Sequence, residues 1–422
     1  MTHRQQDRSQ WKGRLRAPFS FRYDPGQRSP SACRFLIITR MTATPRRPRR
    51  AAPPAPALPT LPDDFAVRVI AWQRRHGRHH LPWQNTGDAY RVWLSEIMLQ
   101  QTQVSAVLGY YARFVERFPT VQALAAAPAD DVMAAWAGLG YYTRARNLHR
   151  CAQIVVAEHG GVFPRDPEAL AALPGIGRST AAAIAAFSYG VRAAILDGNV
   201  KRVFARVFGI DGFPGDKRVE ETMWRIAEAV LPSADGIQSY TQGLMDLGAT
   251  VCTRGKAACL TGERACPLES LCEARRTGRV MELPVPRPRK AIPERAATLL
   301  MALHDGAVLL QRRPQRGIWG GLWSLPLVGD MDAALDAHPA ASDEARAVAQ
   351  AYGKVSSIEP AGVLMHTFTH FRLQMHLLRV EIGQTAALDD DWRWVPLARL
   401  DAVGMPAPVK LALEMLAQPS LV

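Results

Sequence analysis

The 422-residue sequence predicts a multidomain chain, an all-α domain followed by an α+β domain. Three observations carry that reading. Apolar residues recur three and four apart from about Asp64 to Gly278, a proline-rich basic segment follows, and beyond it the period shortens to two around Asp305-Gly306. With 48% hydrophobic and 21% charged residues, the chain is long enough for two domains with cores of their own.

Residues 1–60 are rich in Arg, Pro and Ser without helical or strand period, and the run from Ala51 to Pro62 reads as an extended, unpacked lead-in, so this segment is expected to be disordered. It holds twelve Arg and one Lys against Asp7 and Asp24, and so carries most of the formal net charge of +14. Overall basicity is therefore weak support for DNA binding. The tail reads equally as solvated, as a loose grip on phosphates, or as sequence upstream of a start at Met41. Pro53, Pro54, Pro56 and Pro59 oppose the amphipathic helix of a transit peptide. The apolar run Phe35 to Ile38 is too short for a signal peptide, and no stretch is long enough to span a bilayer, so a cytoplasmic protein with no membrane partner is expected.

The helical domain is placed over 61–279, with helices expected over Ala123 to Trp136, Arg144 to His159 and Val200 to Val207. A linker over 280–295 contains Pro284, Pro286, Pro288 and Pro293 among basic residues, which suits a tether. In the last domain, 296–422, the strands Ala297 to Leu303 and Val308 to Gln311 flank Asp305-Gly306, a dipeptide suited to a tight hairpin. Leu373 to Ile382 alternates in the same way, and a helix from about Pro408 to Leu416 closes the chain.

The segment Leu173-Pro174-Gly175-Ile176-Gly177-Arg178-Ser179-Thr180 lies between two helical stretches. Glycines there let the backbone turn tightly and bring amide hydrogens and a helix N-terminus against a phosphate, as in a helix-hairpin-helix DNA-binding element. An ordinary glycine turn between packed helices is the plainer alternative. Cys252, Cys259, Cys266 and Cys272 fall within 21 residues, with six, six and five residues between them, while Cys33 and Cys151 stand apart. Clustered thiolates in a cytosolic chain point to metal rather than to two disulfides, and thiolates suit zinc and iron-sulfur alike.

Two carboxylates stand out by their surroundings. Glu96 lies among Trp93, Leu94, Ile97, Met98 and Leu99, which disfavour its charged form. Asp197 follows the apolar run Ala193 to Leu196 and precedes a helix starting near Asn199, where amide donors and the helix dipole favour a carboxylate. By residue pattern alone a plain helix cap explains Asp197 better than catalysis does.

Taken together, the helical domain, the glycine hairpin and the cysteine cluster resemble the endonuclease III superfamily of DNA glycosylases. Within it the chain is most similar to the MutY family, through Leu81-Pro82-Trp83, the segment Trp93 to Val104, Gly138-Leu139-Gly140-Tyr141-Tyr142, and Leu196 to Arg202. The resemblance covers about residues 64–418. It implies a monofunctional adenine DNA glycosylase that excises adenine opposite 8-oxoguanine or guanine in duplex DNA, acting as a monomer in bacterial base excision repair. It also implies a [4Fe-4S] cluster on Cys252, Cys259, Cys266 and Cys272, although the family usually has two residues, not six, between the second and third cysteine. A longer loop still returns its ligand cheaply, since each doubling of loop length costs only about 0.6 kcal/mol.

The resemblance further implies that Glu96 protonates adenine N7 and that Asp197 stabilises the sugar cation, with Asn199 holding the adenine or the catalytic water. Cleavage of a purine from deoxyribose needs one neutral and one ionised carboxyl, which matches that division. Tyr141 is the implied wedge, Gln101, Thr102 and Leu139 approach the 8-oxoguanine side, and Trp83 and Gln242 line the base pocket. Ser179 stands where bifunctional members of the superfamily place a lysine, and a hydroxyl cannot form their imine.

In the last domain, Arg312-Arg313-Pro314 and Gly317 to Trp323 resemble the MutT-like (Nudix) domain through which this family recognises 8-oxoguanine. The acidic pairs that would hold magnesium are missing from Leu327 to Met331. Phe368-Thr369-His370 corresponds to the family's Phe-Ser-His loop. An endonuclease III-like lyase is opposed by Ser179, a pyrophosphatase by the missing acids, and a non-catalytic iron-sulfur DNA-binding protein predicts that Glu96 and Asp197 are dispensable.

Overall fold

The computed structural model describes residues 58–233, 235–288, 291–329 and 343–417. The basic extension therefore lies outside the described residues except at its end. There Leu58 and Leu61 pack against the helical core, so the lead-in stops being unpacked before Pro62.

The helical domain comprises α1 (Phe65–His76), α2 (Ala89–Leu99), α3 (Val104–Arg117), α4 (Val121–Ala126), α5 (Ala129–Trp136), α6 (Thr143–His159), α7 (Pro167–Ala171), α8 (Arg178–Tyr189), α9 (Gly198–Val207), α10 (Lys217–Ala229), α11 (Ile237–Asp246) and two short helices about the cysteines, α12 (Ala258–Thr261) and α13 (Glu273–Arg276). The single helix expected over Ala123 to Trp136 is two. Pro128 forces the preceding Ala127 into an extended conformation, and the chain restarts at Ala129.

Helix α2 is the centre of this domain. Asp88 caps it by accepting from Tyr90 N at 2.9 Å, and Tyr90, Val92, Trp93, Leu94, Ile97 and Met98 are all buried, so apolar contact surrounds most of the helix. A second apolar cluster joins α1 to α9, α10 and α11 through Phe65, Val69, Phe204, Ile226 and Tyr240.

The last domain is built on one sheet of β1 (Glu294–His304), β2 (Ala307–Arg312), β3 (Trp323–Ser324), β4 (Leu327–Val328), β5 (Gly353–Thr367), β6 (Arg372–Thr385) and β7 (Trp392–Pro396), with α14 (Asp343–Gln350) and α15 (Ala407–Ala417). Its main path runs β3-β2-β1-β6-β5, with β4 on β1 and β7 on β2; β1 and β6 are parallel and the other pairs antiparallel. The hairpin forms where the sequence places it: His304 pairs with Ala307, and Asp305 and Gly306 have φ of 44° and 73°.

Strand alternation divides the sheet's two faces. Leu300, Ala302, Val380 and Ile382 pack with α14, while Leu299, Met301, Leu373 and Met375 join an apolar cluster continuous with that around α2. Polar contacts also tie the domains: Arg312 pairs with Asp130 at 2.7 Å, Arg146 donates to the carbonyl of Gly320, and Tyr142 donates to that of Met405 at 3.2 Å. The expected linker is not a free tether at its start, because Val280 and Leu283 are buried and Arg206 donates to the Leu283 carbonyl at 2.8 Å. Among the described residues no helix is long and apolar enough to cross a membrane.

Candidate active site

Glu96 lies in the third turn of α2 and lines an open cavity of about 580 Å³ together with Trp83, Ser95, Phe187 and Gln242. That volume admits a nucleotide, since ligand pockets of about 300–1,000 Å³ enclose drug-sized molecules. Trp83 is fixed edge-on against Tyr111, with ring centroids 5.2 Å apart. Gln242 is held by the buried Asp246, to which its side-chain amide donates at 2.8 Å, and Asp246 also binds Arg78 through the backbone N–H at 2.8 Å and the side chain at 2.7 Å. Ser188 lines the same cavity with its hydroxyl buried and unbonded.

Asp197 is the N-cap of α9. Its carboxylate accepts from Val200 N at 2.8 Å and from the Asn199 side chain at 3.2 Å. Asn199 in turn accepts from Arg202 at 2.8 Å, and Arg202 also donates to the carbonyls of Gly248 at 2.6 Å and Cys252 at 2.7 Å. The first lies within a π-helical turn over Leu247–Val251 and the second on the residue that ends it. Gly248 is required by proximity: a Cβ there would stand 2.4 Å from that of Asn199.

The electrostatics differ in part from the expectation. Burial, then the charge of Asp197, pushes Glu96 up to about 8. The Asp197 carboxyl is also raised, because burial outweighs the opposing hydrogen bonds from Val200 and Asn199 and the charge of Arg202. Helix donors alone therefore do not set its acidity. The distinction between the two acids survives in their partners: every stabilising donor falls on Asp197, and no hydrogen bond reaches the Glu96 carboxyl among the described residues. A single proton shared between them belongs on Glu96.

The glycine hairpin takes the expected form. Gly175 has φ of 80° and packs so closely on Asn147 that an added Cβ would lie 2.9 Å from its Cβ, while Gly177 begins α8 with no side-chain cap and leaves the first-turn amides uncovered. The Ser179 hydroxyl accepts from Leu196 N at 2.9 Å, fastening α8 to the chain that leads into Asp197.

Gln101 and Tyr141, both non-glycine residues with positive φ (57° and 50°), share the lining of a second cavity with Gly175. Tyr141 is 45% exposed, as a wedge must be, and Thr102 is half-buried. Leu139 is instead a core residue at 7% exposure, so it supports the tip rather than forming it. In the last domain Phe368 stacks on the buried Phe371 at 4.4 Å, and the hydroxyl of Thr369 and the ring of His370, 3.2 Å apart, are exposed.

Cys252, Cys259, Cys266 and Cys272 line one small cavity as free thiols. No three His, Cys, Asp or Glu side chains among the described residues are grouped to hold a single metal ion. The donor set nevertheless fits a cluster of several atoms: four thiols surround a volume, Arg206 donates to the Cys252 sulfur at 3.3 Å, and the long insertion Leu260–Ala265 is exposed while both flanking cysteines return to the cavity.

Several of these residues escaped the sequence. Arg202 is recoverable, since it lies one helical turn beyond Asn199. Asp246, Arg78, Ser188 and Arg206 carry no local pattern that distinguishes them from other charged and polar residues of the chain.

The chain was compared with known proteins. A family model described as "HhH-GPD superfamily base excision DNA repair protein" matches residues 94–229, and one described as "NUDIX domain" matches 297–415. The adenine DNA glycosylase of Buchnera aphidicola (subsp. Acyrthosiphon pisum) is 32% identical over 83% of this chain and 97% of its own, and that of Homo sapiens is 34% identical over 76% and 68%. Among solved structures, a thermostable thymine-DNA glycosylase is 26% identical over 50% of this chain and 95% of its own, with a TM-score of 0.44. A base-excision-repair module and a NUDIX module thus follow one another in a chain that matches adenine DNA glycosylases over most of its length, and the chain belongs to the adenine DNA glycosylase family of base excision repair enzymes.

Proposed function

We propose that this adenine DNA glycosylase acts on adenine paired with 8-oxoguanine or guanine in duplex DNA, as a monofunctional enzyme that leaves the abasic strand uncut. The observation that carries the chemistry is the unequal pair: Glu96 unbonded and pushed up to about 8, Asp197 bonded by Val200 and Asn199. Glu96 donates its proton to N7 of the extruded adenine, which makes the base a neutral leaving group. Asp197 faces the positive charge that develops on the sugar, and Asn199 orients the water that completes hydrolysis. Trp83 and Gln242 enclose the base, and Gly175 and Gly177 take the phosphates of the same strand.

The extruded nucleotide leaves a gap that Tyr141 fills, with Gln101 and Thr102 against the partner base. Thr369 supplies the hydroxyl, and Phe368 and His370 the flanking rings, for 8-oxoguanine on the last domain. Ser179 is bound to Leu196 and has no amine to offer the sugar, which supports hydrolysis without strand cleavage. Cys252, Cys259, Cys266 and Cys272 would hold a [4Fe-4S] cluster, and such a cluster when bound supplies iron-thiolate cross-links that fix the loop from 252 to 272 beside Arg206. A cytoplasmic, nucleoid-associated site of action accords with a bacterial DNA substrate.

The deciding experiment is single-turnover adenine release from an A:8-oxoguanine duplex by Glu96→Gln. Release is expected to vanish while duplex affinity stays within about threefold, and wild-type release by that variant would overturn the proton-donor assignment.

A further inference from the structure

Outside the paired acids, the most densely bonded side chain in the helical domain is Arg144, the second residue of α6. It is buried, with 9% exposure. One terminal nitrogen donates to the carbonyls of Ile97 at 3.0 Å, Met98 at 2.8 Å and Gln100 at 2.6 Å. The other donates to the Thr102 hydroxyl at 3.1 Å and the carbonyls of Leu139 at 3.3 Å and Gly140 at 3.2 Å. Its guanidinium carbon lies 5.2 Å from the centroid of the Tyr141 ring and 5.4 Å from that of Trp136.

These partners belong to two separate loops, and each loop carries one strained residue. Gln101 and Tyr141 sit in the left-handed region, which costs a non-glycine residue about 1–2 kcal/mol. Arg144 binds the carbonyl just before Gln101, the hydroxyl just after it, and the carbonyl immediately before Tyr141. Ile97 and Met98 also lie in the last turn of α2, where a cation is favoured by the helix dipole. The same guanidinium therefore connects the helix that carries Glu96 with both tips.

We propose that Arg144 is a positioning residue that holds Gln101 and Tyr141 at fixed separation before DNA arrives, so that the target base is extruded against a preformed wedge. This rests on the proposed function, which places both tips in the duplex. A planar fork of N–H groups reaches both loops at once, whereas a lysine ammonium is a compact point charge with three donors. Preorganisation matters here because loops ordered only on contact would subtract their ordering cost from the few kcal/mol available for unstacking.

The test uses the full chain and a duplex with 2-aminopurine in place of the target adenine opposite 8-oxoguanine, its fluorescence reporting extrusion without any bond cleavage. In a Glu96→Gln background, Arg144→Lys is expected to slow extrusion tenfold or more, while affinity for an undamaged duplex stays within twofold. With Glu96 restored, the pH midpoint of adenine release is expected to be unchanged, which separates a wedge effect from a displaced acid. Extrusion within twofold of the parent, or equal losses on damaged and undamaged duplex, would overturn the inference.

Amide exchange in the DNA-free wild type gives a second measurement that needs no variant. The Thr102 and Leu139 amides, bonded to Leu99 and Trp136, should be protected before DNA is added. Exchange at unfolded-chain rates there would overturn the inference without touching the assignment of Glu96, whose failure shows instead as adenine release by Glu96→Gln.

Discussion

The Asp197 carboxylate accepts the side-chain amide of Asn199 at 3.2 Å, and Asn199 is itself gripped by Arg202 at 2.8 Å. Burial raises the Asp197 carboxyl, and this bond is one of the few forces acting against that rise. Removing it should make the anion scarcer and less well aimed. A hydrogen bond to a charged group contributes about 1.5–3 kcal/mol, and about 1.4 kcal/mol is a factor of ten in rate. Asn199→Ala is therefore expected to slow single-turnover adenine release about tenfold to a hundredfold, with duplex affinity little changed. A rate within twofold of wild type would remove Asn199 from the site.

The acid has its own signature in pH. Only neutral Glu96 can donate, and its carboxyl is pushed up to about 8, so adenine release should fall as pH rises through that value; it should also fall at the acid end, where Asp197, itself raised by burial, takes up a proton. The same shift acts on stability. A carboxyl raised on folding contributes stability that is complete below its unfolded value, near 4.5, and is lost as pH climbs through about 8. Glu96→Gln escapes that loss, so its melting temperature is expected to exceed wild type at pH 9 and to approach it at pH 5. Parallel melting curves across that range would show that Glu96 is not held neutral.

How much of this could be read beforehand depends on how local each cause is. Asp305-Gly306 makes its own turn, Gly175 its own hairpin, and Asp197 caps the helix immediately after it, so short patterns announced all three. Pro128 was equally visible, yet the apolar period ran through it and concealed the break between α4 and α5. The acidity of Asp197 was misjudged because burial is a property of the assembled core, whereas capping is a property of four residues. Leu139, which the family resemblance sets toward the 8-oxoguanine, is a core residue at 7% exposure, a property of the assembled fold that its neighbours in sequence do not announce. Arg144 and Asp246 act on partners distant in sequence, and nothing in their neighbours foretells it.

The cysteine loop yields a prediction about its unusual length. Leu260 to Ala265 are exposed, while Cys259 and Cys266 return to the shared cavity. The insertion thus adds chain outside the ligand set, and loop closure changes slowly with length. Deleting four of the inserted residues should leave iron content and visible absorbance per chain unchanged. Cys266→Ala should lose most of both, because three thiolates remain for a four-cysteine site. Full iron occupancy in that substitution would show that the cavity does not bind a cluster through these four sulfurs.

The junction between the two domains bears on substrate preference. Tyr142 is the polar pin of that junction: its hydroxyl accepts from Gly138 N at 3.3 Å and donates to the Met405 carbonyl at 3.2 Å, one partner on each domain. Tyr142→Phe keeps the ring and strands both partners, at a cost of about 0.5–1.5 kcal/mol. The Arg312–Asp130 pair is more open to solvent, with side chains 30% and 36% exposed, so Arg312→Met should cost less. If Thr369 reads 8-oxoguanine from the last domain, loosening the junction should penalise A:8-oxoguanine substrates and spare A:G. Tyr142→Phe is therefore expected to lower kcat/KM on A:8-oxoguanine several-fold more than on A:G. Equal losses on both duplexes would mean that the sheet domain stabilises the enzyme without selecting the partner base.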